Sequence, residues 1–390
     1  LPRFTVVVND IGALRAALLP PSLIKICEAF IRGDVEIGGD LGVAIERLLV
    51  FVSAPHLVRR SVALLPVVWR LPRSARPARP AAAGLRLRGR RHSRARDRAA
   101  VQHHYDISND LYALFLDRLM VYSCAYYETG KEDLECAQES KLALICRKLE
   151  LRPGQRLLDI GAGWGALAVY AAERHGVQVL GITLSKAQAS FAHQRVQEAG
   201  LSSRAEIVLR DYRDLSEEEA FDRISSIEMF EHVGREQLGE YFARVYRMLK
   251  PGGLFLNQGN SVQERVNLPF FGLRWIINHR PVMDRYILPD QELVSISRAL
   301  DAAEGAGFEV VSVQGLREHH ARTMHTWLGR LEAREADATR LVGAEAYRVC
   351  RLLLAGCAKY YEVGMLGVYQ MLLRRPSTLG QSSQGGKRES

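Results

Sequence analysis

From Ala137 onward, short hydrophobic runs alternate with amphipathic stretches of helix length. The pattern predicts a helix over Ala137–Leu149 and a strand over Arg156–Ile160 that runs into a glycine turn. Helix Ala166–His175, strand Val177–Ile182, helix Lys186–Ala199 and strand Ala205–Leu209 follow. Next come strand Asp222–Ile227, helix Arg235–Leu249 and strand Gly253–Gln258, with Pro251-Gly252-Gly253 breaking the helix sharply. Strands separated by helices of this length need crossover connections, which are right-handed and build a parallel sheet. A strand over Phe308–Val313, a helical tract over Met324–Tyr361 and an alternating run over Leu366–Leu373 bring the expected strands to seven. The fold class read from this is α/β, a mostly parallel sheet with helices on both faces.

The rhythm lapses elsewhere. Residues 1–72 mix helical apolar spacing with the turn-rich stretch GDVEIGGDLG and are expected to form a small N-terminal domain. Residues 73–100, rich in Arg, Pro, Ala and Gly, read as a flexible linker, and 101–375 as the main domain. Inside the main domain, residues 260–300 form an apolar and aromatic insert, and 376–390 a disordered tail.

Composition sharpens this picture in two places. The chain of 390 residues is 47% hydrophobic, enough to bury a large core. Its formal charge of +9 is local: Arg70 to Arg98 holds eleven arginines and one acid, a charge of +10 that leaves the rest near −1. Such a segment suits anionic lipid headgroups, at roughly 1 kcal/mol per basic side chain near the surface. It lies outside the catalytic body, so nucleic acid is not an expected partner. Six cysteines without a CxxC pair read as reduced thiols. No apolar run spans a bilayer, the first residues lack a secretion signal, and the start at Leu1 points to trimming or a cut edge. A cytoplasmic protein, peripheral on the inner face of the membrane, is the expectation, and a homodimer is compatible with it. His319 and His320 lack companions at zinc-ligand spacing, so no metal site is expected.

The sharpest local feature is Leu158-Asp159-Ile160-Gly161-Ala162-Gly163-Trp164-Gly165 at a strand-to-helix turn. Glycines there let backbone approach a ligand closely, at the carboxyl end of the sheet. Dinucleotide binding is the rival, but the spacing is GxGxG and no acid follows Val177–Ile182 to take a ribose. Gly181-Ile182-Thr183-Leu184-Ser185-Lys186-Ala187-Gln188 offers hydroxyls and an amide instead, which favours S-adenosylmethionine.

Several segments, in order, resemble the cyclopropane fatty acid and mycolic acid cyclopropane synthases. They are His104–Asp110 (HYDISND), Tyr122–Tyr127 (YSCAYY), GAGWG, GITLSKAQ, RDYRDL at Arg210–Leu215 and MFEHVG at Met229–Gly234, with weaker echoes in GDVEIGGDL and RYILPDQELVS. The resemblance covers nearly the whole chain except the basic linker and the tail. It implies a class I, Rossmann-like methyltransferase that modifies the cis double bond of unsaturated phospholipid acyl chains. Tyr122, Ser123, Asp159, Gly161, Ala162, Gly163, Thr183, Leu184, Ser185 and Gln188 would surround the cofactor, with Asp211, Tyr212 and Arg213 near the adenine. Tyr105 would line the substrate pocket, and Cys124 and Glu231 would hold a bicarbonate ion; Phe230 and the insert aromatics Phe270, Phe271 and Trp275 are candidates for the same pocket on their chemistry. An alkene is a weak nucleophile, so the task is positioning; the carbocation that follows suits aromatic faces and needs a nearby base.

The chain departs from the family at the anion. Gln258 stands where a His is usual, His320 where a Tyr is usual and Asn260 where an Ile is usual. These three, with Cys124 and Glu231, are the candidate catalytic residues. The departures leave a methyl- or methylene-branched product open beside the cyclopropane. A small-molecule N-methyltransferase and a lipid-binding protein without turnover are the remaining rivals.

Overall fold

The computed structural model describes residues 3–19, 22–53, 65–74, 87, 89–263, 282–287 and 289–377. Phe270, Phe271 and Trp275, most of the tail and the centre of the basic linker lie outside the described residues. Two compact units are present: residues 1–135, 262–291 and 317–367 form one, and 136–261, 292–316 and 368–390 the other.

In the first unit, β1 (Phe4–Val8) pairs antiparallel with β2 (Val35–Gly39), in the register Val6 to Ile37. The stretch read as turn-rich is therefore a strand in its middle, because β-branched Val35 and Ile37 find a β-branched partner. Helix Ile11–Leu18 starts on the Asp10 carboxylate, which accepts from the N–H groups of Gly12 and Ala13. The expected tract Met324–Tyr361 is two helices, Arg317–Ala333 and Glu335–Glu362, divided at Arg334. A second correction falls on the basic stretch. Helix Arg94–Tyr105 begins inside it, and Arg91 and Arg96 both pair with Asp290. Part of the charge expected to face solvent is thus neutralised within the fold. Among the described residues no helix is long and apolar enough to cross a membrane.

The second unit carries nearly all of a seven-stranded sheet. Its strands are β3 (Arg156–Ile160), β4 (Gln178–Thr183), β5 (Ala205–Leu209), β6 (Phe221–Ile227), β7 (Leu249–Val262), β8 (Glu309–Gly315) and β9 (Leu366–Arg374), in the order β5-β4-β3-β6-β7-β9-β8. Pairings from β5 to β7 are parallel, while β8 and β9 are antiparallel. Strand addition reverses direction between β3 and β6, which opens a crevice at their carboxyl ends. The core against one face holds Ile160, Phe221, Phe242, Phe255, Phe308 and Met371. Each such buried side chain contributes roughly 1.5–3 kcal/mol of transfer free energy.

Candidate active site

Four of the five residues of β3 are buried, and the chain then turns through Gly161, Gly163 and Gly165 at φ +84°, +55° and +82°. Those angles favour glycine strongly over any residue with a Cβ. At Gly161 a Cβ would also come within 3.1 Å of the Met229 side chain. Around Gly163 a Cβ would meet nothing within 4 Å, so its face is open. The backbone N–H groups of Gly161 and Ala162 both donate to the Ile182 carbonyl, at 2.9 Å each, which locks the turn to β4. Behind it Asp159 is buried, and its carboxylate accepts from Ser225 Oγ at 2.8 Å. Burial raises its proton affinity to about 6, with the Ser225 bond and the Lys141 charge opposing.

Beyond β4, Thr183 Oγ donates to Gln188 Oε1 at 2.8 Å, and Ser185 Oγ accepts from the Gln188 N–H at 3.1 Å. Ser185 thereby caps helix Lys186–Glu198. These side chains, expected at the cofactor, also build the helix start; Leu184 is half-buried beside them. Past β5, Asp211 grips the Arg213 guanidinium through both oxygens, at 2.9 and 2.6 Å. Tyr212 stands edge-to-face against Tyr241 with ring centroids 5.4 Å apart.

At the end of β6 stands Glu228, with φ +54°, followed by the short helical turn Phe230–His232. Glu231 is buried. Its Oε1 accepts from both the backbone N–H and the side-chain amide of Asn260, each at 2.6 Å, while Oε2 is buried with no hydrogen-bond partner. Burial, and then the neighbouring Glu228 charge, push its proton affinity up to about 8. Gln258 bridges two other groups: its Oε1 accepts from Gln370 Nε2 and its Nε2 donates to Glu228 Oε1, both at 2.8 Å. Gln370 Oε1 accepts in turn from Lys148 Nζ at 2.7 Å. An ammonium only donates and a carboxylate only accepts, so both intervening amides must point the same way. Phe230, expected in the substrate pocket, is buried among core side chains, and a Cβ on Gly259 would collide with its ring at 1.9 Å.

The first unit holds the remaining candidates. Tyr122 stacks on Trp327 at 5.1 Å and meets Tyr112 and Tyr105 edge-to-face at 5.2 and 6.1 Å. Ser123 and Cys124 are buried, and the Cys124 thiol donates to the Ala125 carbonyl at 3.2 Å. The Ala125 N–H donates to Thr323 Oγ, and the Tyr127 N–H to His319 Nδ1, tying this segment to helix Arg317–Ala333. His320 is buried edge-to-face against Tyr361 at 4.6 Å.

In the second unit the fold gathers the glycine turn, Glu231, Gln258 and Asn260 around neighbouring strand ends. In the first it gathers Tyr105, Tyr122 and Trp327 into one aromatic nest. Glu228, Gln370 and Lys148 escaped the sequence reading. A lone Gln inside the apolar run Leu366–Leu373, and a Glu against the end of an apolar strand, were the available signals.

Comparison with known proteins bears on this arrangement. The family model described as mycolic acid cyclopropane synthetase matches residues 92–371. A probable fatty acid methyltransferase of Pseudomonas putida is 35% identical over the full chain, which covers 91% of that relative. The cyclopropane-fatty-acyl-phospholipid synthase of Escherichia coli strain K12 is 35% identical over 70% of this chain and 66% of its own length. The crystal structure of mycolic acid cyclopropane synthase CmaA1 complexed with SAH and CTAB superposes with a TM-score of 0.67 at 34% identity, covering 71% of this chain and 98% of that one.

Proposed function

The chain belongs to the mycolic acid cyclopropane synthetase family of S-adenosylmethionine-dependent methyltransferases, and from that premise we propose that it converts the cis double bond of unsaturated phospholipid acyl chains into a cyclopropane. The observation that carries the reading is a juxtaposition at the switch point of the sheet. An open glycine turn at Gly163 stands beside a segment, Met229–Glu231, that presents a buried carboxyl group. When bound, S-adenosylmethionine supplies an electrophilic methyl on sulfur. Gly161, Ala162 and Gly163 would give it close backbone, the ends of β4 and β5 would flank it, and Tyr212 would pack near the adenine.

Glu231 is held in a dry place beside that turn, where a group can hold a proton out of reach of water. Aromatic faces in the first unit, Tyr105 and Tyr122 among them, suit an acyl chain. The excess of arginine over residues 70–98 favours an anionic membrane surface as the place of work.

A second reading has one observation in its favour. Both amide positions of Gln258 bond to protein groups, so this residue differs from a family histidine in chemistry as well as in name. A 1,2-hydride shift that carries the cation to the methyl-bearing carbon, followed by loss of a proton from the new methyl, leaves a methylene branch instead of a ring. The test is incubation of the full chain with S-adenosylmethionine and vesicles of unsaturated phosphatidylglycerol, followed by mass spectrometry and ozonolysis. The expected lipid is heavier by one CH2 and resists ozone. Ozone-sensitive product of the same mass would shift the assignment to methylene branching. Unchanged lipid, in protein that gives a calorimetric signal with the donor, would reject both.

A further inference from the structure

We propose that Lys148 is a positioning residue: its ammonium, acting through the amides of Gln370 and Gln258, sets the charge on Glu228 and the proton on Glu231, and turnover uses that arrangement. The proton placement stands on its own, while the role in turnover rests on methyl transfer as read above.

The groups form one row across neighbouring strands of the second unit. Lys148 ends helix Leu134–Lys148 and is half-buried. Its Nζ donates to Gln314 Oε1 at 2.6 Å and to Gln370 Oε1 at 2.7 Å. Those two glutamines are register partners on β8 and β9. Gln370 Nε2 donates to Gln258 Oε1 on β7, and Gln258 Nε2 to Glu228 Oε1 just past β6, both at 2.8 Å. Gln258 and Gln370 are fully buried, where a donor or acceptor left without its partner is costly.

An ammonium carries three donors and no acceptor, so it fixes the direction of the row. Turning Gln370 over would aim its NH2 at Lys148, two donors face to face. With the direction held, the last amide offers Glu228 a donor, which favours a carboxylate there. With the row reversed, Gln258 would offer an oxygen, and Glu228 would need a proton to meet it. Glu231 feels the difference, because burial and then the Glu228 charge strengthen its hold on a proton. Glu231 Oε1 already accepts two N–H groups of Asn260, so that proton belongs on Oε2. The strand ends then carry one negative charge, at Glu228, and a neutral O–H donor at Glu231.

Burial lowers Lys148 to about 8, with the Arg147 charge adding to it, so the ammonium prevails at neutral pH. Around Glu231 stand Tyr241, the neighbouring His232, and Glu292, whose N–H donates to the Glu231 carbonyl. None of these is altered in the Lys148 variants below. Acting only as a charge through space, Lys148 would have the opposite effect: its loss would let both acids hold protons more tightly. The two accounts differ in sign.

The test uses the full chain and infrared spectra of the protonated carboxyl band as pH is raised. The component missing from Glu231→Gln identifies Glu231. In the parent it should be present at neutral pH and fade around pH 8. In Lys148→Met its midpoint should fall by about one pH unit or more, while Lys148→Arg, whose head also only donates, should leave it in place. A midpoint that rises or stays in Lys148→Met overturns the proposal. So does Lys148→Arg titrating like Lys148→Met, or a parent whose Glu231 is ionised at neutral pH. Should Lys148→Met fail to fold, Lys148→Gln, which can donate or accept, carries the same expectation. With vesicles of unsaturated phosphatidylglycerol at pH 8, Lys148→Met should lose about fivefold in kcat, the protonated fraction falling from about a half to a tenth. The KM for S-adenosylmethionine should stay within about twofold of the parent's. An unchanged kcat beside a shifted band overturns the role in turnover. If the parent yields no lipid product, the acyl-chain reading fails, and the infrared arms alone judge where the proton sits.

Discussion

Two carboxyl groups buried at adjacent strand ends behave differently, and the cause lies in their neighbours. Asp159, next to last in β3, has the Ser225 hydroxyl on one oxygen and the Lys141 charge nearby, so burial lifts its proton affinity only to about 6. Glu231, just past β6, has Glu228 as its charged neighbour, and burial with that like charge carries it to about 8. At neutral pH Asp159 is ionised and Glu231 holds its proton. Environments that push two acids apart in this way let one sheet support both charge placement and proton transfer.

That contrast can be broken or sharpened by experiment, beginning with the largest effect. Unfolded Glu231 releases its proton near 4.5, while the folded protein keeps it until about 8. Folded protein therefore binds more protons in that window, and stability falls as pH rises through it, by up to about 1.4 kcal/mol per pH unit. Glu231→Gln should flatten this part of the profile in urea unfolding, several kcal/mol across the window. A slope unchanged from the parent would mean that Glu231 is ionised in the fold. Asp159→Asn should act with the same sign over a narrower range, from about 3.8 to about 6, removing on the order of 3 kcal/mol of pH dependence. Equal windows for the two variants would erase the contrast.

A smaller effect probes what sets the Glu231 surroundings. Gln258→His places an imidazole where an amide joins Gln370 to Glu228, and an imidazole cannot reproduce both bonds with an amide's geometry. The expected cost is about 1–3 kcal/mol, from a buried partner left unsatisfied, read as a lower urea midpoint at unchanged slope. Stability equal to the parent's would show that the relay contributes nothing.

Much of the sheet was legible because it is local. Strand β3, its glycine turn and the helix after it follow from apolar runs and from residues that alone tolerate φ +84° and +55°. Family motifs at Tyr122–Tyr127 and Met229–Gly234 pointed to candidate residues before any geometry was known. Other elements depended on distant partners. Strand β2 reads as a turn until Phe4–Val8 lies beside it, and the helix starting at Arg94 reads as linker until Asp290, almost two hundred residues on, accepts its arginine. Phe230 was legible only as an aromatic residue; that its ring lies where a Cβ of Gly259 would stand needed the fold.

By itself, then, the order of residues determined the alternation of strands and helices, the bend at Gly161 and the family. These depend on backbone sterics and periodicity within a few residues. Tertiary structure alone decided what each polar group does: that Lys148, Gln370, Gln258 and Glu228 join in one direction, and that Asn260 holds one oxygen of Glu231 and leaves the other bare. Hydrogen bonds and charge couplings act over a few ångströms of space, and only folding brings residues 148, 228, 258 and 370 within that distance.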